Sequence, residues 1–158
     1  MTTLDPVSRH KGREAALQML YQWEVGRVSA HEAVRTYWPG RDAPPSPEDE
    51  HADQAPEHAV DEHGRTFANT LVNGTIDRVA EADQLIAAHS KNWRVERMAV
   101  IDRLVMRMAI YELLAERETP AKVIINEALE LARTYSGEEP VPLINGVLDS
   151  VRKALDRE

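Results

Sequence analysis

The chain contains no cysteine and a single phenylalanine, Phe67. The first absence excludes a disulfide framework and any thiolate metal site or cysteine nucleophile. The second, with few other aromatics, argues against a sheet, which favours aromatic and β-branched residues. Also missing are a Walker A loop, a G-x-G-x-x-G turn and a G-x-S-x-G elbow, so nothing cradles a nucleotide or presents an activated serine. No apolar run approaches the ~18 residues a membrane span requires, and Met1–Arg13 lacks the apolar stretch of a secretory signal. The expectation is a cytoplasmic protein with no membrane association.

What is present is helical. Leucine, alanine, valine, isoleucine and methionine dominate the apolar set of the 158 residues, enough chain for one domain with a sizeable core. Leu17, Leu20 and Tyr21 share one face of a helix predicted over 8–25, with Ser8 as its cap and Gly26 as its end. Ser29 and Glu32 form a capping-box pattern for a second helix that stops before Pro39. A helical region follows over 62–89, broken near Asn73-Gly74. The next helix, 95–117, carries Ile101, Leu104, Val105, Met108 and Tyr111 on one face. Thr119 caps a helix whose first residue is Pro120 and which ends near Ser136-Gly137. A last helix over 141–155 turns Ile144, Val147, Leu148 and Val151 inward. The expected fold is an all-α bundle of about seven helices in one domain over 1–158. It has an N-terminal subdomain over 8–90 and a C-terminal one over 91–158.

Residues 39–60 are of different composition. Five of the nine prolines lie there, and between Pro39 and His63 eight acids oppose only Arg41, a local charge of −7 in a chain of −8. Such a segment buries too little apolar surface to offset its ordering entropy and reads as a disordered loop. The net acidity therefore conceals a basic start, Arg9-His10-Lys11-Gly12-Arg13. A phosphate-binding patch on the first turns of helix one is one reading and a solvated helix end the other. Gly12 costs about 1 kcal/mol in a helix, which a close backbone approach would explain.

Other candidates carry equally open readings. Tyr21 packs beside Leu17 or stacks on a base. Asp102 accepts hydrogen bonds from a base edge or partner while Arg107 holds a buried carboxylate such as Glu127, or both join surface ion pairs. Trp38 and Trp93 seal corners between helices. His51, His58 and His63 lie among carboxylates, but their only Glu-x-x-His, Glu48–His51, sits among prolines, so no metal, catalytic residue or cofactor is assigned. Asn126-Glu127 and Asn145-Gly146 place polar and small residues inside apolar runs, where a fixed hydrogen bond or a tight backbone approach is expected.

Taken in order, Arg13 to Tyr21 (R-E-A-A-L-Q-M-L-Y), Asp102 to Leu113 and Pro120 to Asp149 resemble the NusB family of bacterial transcription antitermination factors. The resemblance covers nearly the whole chain, with 39–60 as an insertion. It implies a non-enzymatic adaptor of two bundled helical subdomains. Such an adaptor binds the boxA element of ribosomal-operon leader RNA with NusE, a small-subunit ribosomal protein, within an RNA polymerase antitermination complex. On that resemblance Arg9, Lys11, Arg13, Tyr21 and Asp102 are the expected RNA contacts. Glu96, Arg107, Glu139 and Leu143 are expected on the partner side. Where the family carries lysine then phenylalanine before the Asn-Gly pair, this chain has Pro142 and Leu143, which offer neither charge nor a stacking ring. The alternative is a protein-binding or self-associating module, a homodimer for example, with little RNA affinity of its own.

Overall fold

The computed structural model describes residues 5–42, 60–91 and 94–158. Among them are seven α-helices, a short 3-10 turn and no strand: α1 Pro6–Glu24, α2 Ala30–Asp42, α3 Glu62–Asp77, α4 Val79–His89, α5 Val100–Ala115, α6 Ala121–Tyr135 and α7 Val141–Ala154, with the 3-10 turn at Val95–Arg97. Two compact units divide between Thr70 and Leu71, inside α3.

In the first unit α1 begins earlier than expected. Asp5, not Ser8, is its N-cap: an Asp5 carboxylate oxygen accepts from the Ser8 backbone N–H at 2.9 Å, with Pro6 at the first helical position. Proline there is pre-set for a helix and gives up an N–H that would lack a partner anyway. That hydrogen bond chiefly holds the Asp5 carboxyl below its ordinary range. α1 packs on α2, burying Ala15, Ala16, Leu17, Met19 and Leu20. The Ser29 hydroxyl caps α2 by accepting from Glu32 N–H at 3.1 Å, as the capping box predicts. α2 does not stop before Pro39 but runs to Asp42 with the proline inside it, so 39–42 are helical rather than disordered. The remainder of the expected loop up to residue 59, with His51 and His58, lies outside the described residues, as does Trp93. Trp38 is buried, and its indole N–H donates to Asn69 Oδ1 on α3 at 3.0 Å.

The second unit is built on α5, where every residue from Leu104 to Ile110 is buried, as are Glu112 and Leu113. α5 packs against α4, α6 and α7, so it is apolar almost all round, as a central helix must be. α7 turns Ile144, Val147, Leu148 and Val151 into this core, as its periodicity predicts. Three boundaries differ from expectation. The break in the 62–89 region falls at Arg78, not at Asn73-Gly74; Gly74 instead makes room for the Tyr111 ring, which a Cβ there would strike. Residues 95–117 are not one helix, because the 3-10 turn and an extended Met98-Ala99 precede α5. Thr119 does not cap α6; Pro120 occupies that place without a side-chain bond.

Candidate nucleic-acid and partner interface

The basic start does not form a single exposed patch. Successive helical residues rotate by about 100°, so Arg9 and Arg13 share a side of α1 while Lys11 lies away from it. The Arg9–Arg13 side faces α3. Arg13 is only 2% exposed, and its guanidinium carbon sits 5.2 Å from the Phe67 ring centroid, with that of half-buried Arg9 at 5.9 Å. Arg13 is therefore a packed cation, which removes it from the expected RNA surface. The glycine between them explains the closeness: a Cβ on Gly12 would meet Phe67 Cδ1 at 2.8 Å and the Gly64 carbonyl at 3.1 Å. The close backbone approach expected of Gly12 is thus the crossing of α1 and α3. Two carboxylates meet at the same end. Asp61 Oδ1 accepts from Gly64 N–H at 2.8 Å at the start of α3, and the Ser8 hydroxyl lies 3.1 Å from Asp5 Oδ2 and 3.2 Å from Asp61 Oδ2. Tyr21, on the same helix, is 40% exposed, enough to offer a ring face.

In the second unit a cleft of about 510 Å³ opens between the approach to α5 and the start of α7. Arg97, Met98, Ala99 and Asp102 line one wall; Ser136, Glu139, Pro140 and Leu143 line the other. The second wall is held by local chemistry. Gly137 takes a φ of 105°, a conformation that favours glycine, and its N–H bonds the Ala132 carbonyl at 2.9 Å, ending α6. Arg133 then clamps the turn, reaching Glu130 at 2.8 Å and Glu138 at 3.0 Å. Across the cleft, Asp102 Oδ1 is buried and has no hydrogen-bond partner. A buried carboxylate oxygen without a donor is costly. With Glu139 exposed and Leu143 half-buried, the cleft offers two acceptors and an apolar floor, with Arg97 at its edge.

Three of the expected residues, Asp102, Glu139 and Leu143, thus converge, and exposed Glu96 lies on the adjoining 3-10 turn. Arg107 does not join them. It is 7% exposed and holds Asp83 on α4 through two hydrogen bonds of 2.7 and 2.8 Å. It is a strut between α4 and α5, with Asp83 as the carboxylate it holds there. Sequence reasoning missed Arg97, Ser136 and Pro140, because a continuous helix over 95–117 hides the turn that brings the first wall to the second. Asn126 and Asn145 also differ from expectation. Both are exposed, lining a groove of about 430 Å³ with Lys122, Asp149 and Arg152, and Gly146 has open space where its Cβ would be. Among the described residues no group of three or more histidines and carboxylates is placed to hold a metal, and no helix is long and apolar enough to cross a membrane.

The described residues form an all-α protein of two helical units, with a cleft at the turn into its last helix. The NusB family model matches residues 10–153, and the chain belongs to the NusB family. The transcription antitermination protein NusB of Koribacter versatilis is 40% identical over 156 residues, covering 99% of this chain and 96% of that one. Its counterpart in Sorangium cellulosum is 41% identical over 150 residues, 95% of each. Among solved structures, T. maritima NusB aligns over 97% of this chain and 93% of its own with a TM-score of 0.74 and 28% identity. A structure of the antitermination factors NusB and NusE in complex with dsRNA aligns over 95% and 99% with a TM-score of 0.77; at 19% identity it bears on the fold alone.

Proposed function

We propose that this chain is a non-enzymatic RNA-binding adaptor of transcription antitermination. It acts in the cytoplasm, engaging boxA leader RNA together with NusE within the RNA polymerase antitermination complex. Family membership supports the class. The observation that carries the site is the cleft, where the carboxylates of Asp102 and Glu139 meet beside Leu143. Base-edge N–H groups and partner amides are donors of the right kind. Lys11, half-buried Arg9 and exposed Tyr21 supply phosphate and stacking contacts at α1. Because Leu143 stacks poorly and Arg13 is buried, affinity is assembled from two weak surfaces, this chain's and NusE's, which act together when linked.

The test is a titration of boxA RNA with and without NusE. Asp102→Asn keeps the shape but adds a donor where an acceptor is required. It is expected to weaken the ternary complex about tenfold, roughly the 1–3 kcal/mol of a mismatched polar contact. Arg9→Glu with Lys11→Glu is expected to lower affinity and flatten its salt dependence. Wild-type affinity in both variants with NusE present refutes the assignment, and a stable dimer indifferent to RNA favours a self-associating module instead.

A further inference from the structure

We propose that the groove between the end of α4 and α7 is a second RNA subsite, which holds phosphates of the strand next to the segment in the cleft. The inference rests on the RNA-binding reading above and extends it to a surface that reading does not use.

The groove has a volume of about 540 Å³ and lies wholly in the second unit. His89 and Lys91 stand on one wall; Leu143, Gly146, Ser150 and Lys153 follow one side of α7 on the other. Leu143 also lines the cleft that holds Asp102 and Glu139, so a strand leaving the cleft past Leu143 enters the groove. The two walls are tied together, with His89 Nδ1 and Ser150 Oγ hydrogen-bonded at 2.6 Å.

Two residues of this groove are the reverse of what local stability favours. Lys91 follows the C-cap of α4 with a φ of 51°, in the left-handed region where glycine is unstrained and a side chain is not. Gly146 stands inside α7, exposed, with nothing near the place of its Cβ, where an ordinary side chain would favour the helix. Backbone strain of this kind gathers at binding sites. A bare helix surface at Gly146 admits a sugar–phosphate backbone to close contact, and the strained position opposite it carries a cation.

The charge has the sign a phosphate requires. Lys91 and Lys153 are both exposed. Lys153 reaches Asp149 Oδ2 at 3.2 Å, while Arg152 holds Asp149 Oδ1 through two hydrogen bonds of 2.8 and 3.0 Å. Two cations on one carboxylate leave a net positive charge, and a surface pair such as Lys153–Asp149 is weak enough to yield to a phosphate. Pro142 and Leu143 bring no charge to this stretch, so the lysines supply it.

The test compares boxA RNA with the same RNA extended by a few flanking nucleotides at either end, each titrated in the presence of NusE. One extension is expected to tighten wild-type binding about 5- to 25-fold at ~0.1 M salt, as one or two phosphate contacts on a single strand do. Lys91→Gly with Lys153→Gln is expected to abolish that gain and lower the salt slope by about 1.4, and Gly146→Leu to abolish it by filling the groove. Lys91→Gly alone and Gly146→Leu should melt at or above the wild-type temperature, so affinity falls while stability does not. No gain from either extension, or a gain that survives in these variants, overturns the inference and leaves the cleft reading to stand on Asp102→Asn. Weaker binding of NusE to the same variants without RNA assigns the groove to a protein partner and also overturns it. Absence of RNA binding by the wild-type complex refutes the function itself, and this subsite with it.

Discussion

Replacing Arg157 is expected to destabilise the second unit more than any change at the chain's other end would suggest. α7 finishes in a Schellman motif: Arg157 N–H bonds the Arg152 carbonyl at 3.0 Å and Asp156 N–H the Lys153 carbonyl at 3.1 Å, with Asp156 at a φ of 54°. This reversal turns Arg157 back into the protein, where it is 7% exposed. Its guanidinium donates to the Leu113 carbonyl, to Glu116 O at 3.0 Å and to Thr119 O at 2.7 Å. It thus caps the end of α5 and the turn into α6 with one side chain. Bonds to a charged donor contribute about 1.5–3 kcal/mol each, but desolvating the guanidinium opposes them. The net loss in Arg157→Met, which keeps the stem's packing, is therefore about 2–4 kcal/mol. For a chain of this size that lowers the melting temperature by roughly 5–15 °C. The assay is thermal and guanidinium unfolding followed by circular dichroism at neutral pH. Arg157→Lys keeps the charge without the fork and should recover less than half the loss. A midpoint for Arg157→Met within about 0.5 kcal/mol of wild type would refute the reasoning, since water would then be satisfying the three carbonyls equally well.

Two glycines predict opposite outcomes. Gly74→Ala drives a Cβ into the Tyr111 ring and should cost about 1–3 kcal/mol in denaturant unfolding, a loss largely removed in a Tyr111→Leu background; Gly146→Ala, with nothing near its Cβ, should stabilise α7 by about 1 kcal/mol. The phenol of Tyr111 is pushed up from its ordinary value of 10.0, chiefly by burial and next by the charge of Glu116. Because the folded form holds this proton more tightly, the contribution of Tyr111 to stability should be constant below about pH 10 and fall as pH rises from the unfolded value through the folded one. Unfolding midpoints against pH check this: Tyr111→Phe should remove that part of the alkaline loss, and an unchanged profile would count against it.

Legibility in the sequence followed the range of the interactions concerned. The inward face of α7, the Ser29 capping box and the end of α6 at Ser136-Gly137 depend on residues within one or two turns, and all three were read correctly. Asp5 was passed over for Ser8 because both are good caps three residues apart, and only the backbone decides which one stands outside the helix. Thr119 resembles a cap, yet it is buried and its carbonyl serves Arg157. Arg13 resembles a surface cation in a local reading, and for Arg107 the local pattern leaves a buried carboxylate and a surface ion pair equally open. A ring on α3 and a carboxylate on α4 draw them inside. Asn126, Asn145 and Gly146 fail in the other direction, read as constrained and found open.

By itself the sequence determined that this protein is helical, which apolar stripes turn inward, and to which family it belongs, since periodicity and short-range capping are carried by neighbouring residues. Tertiary structure alone decided which cations are drawn inside and which acids share a cleft. Burial of a long side chain depends on what another helix, far along the chain, sets against it. For the guanidinium groups of Arg13, Arg107 and Arg157 the choice between solvent and a buried partner is made there.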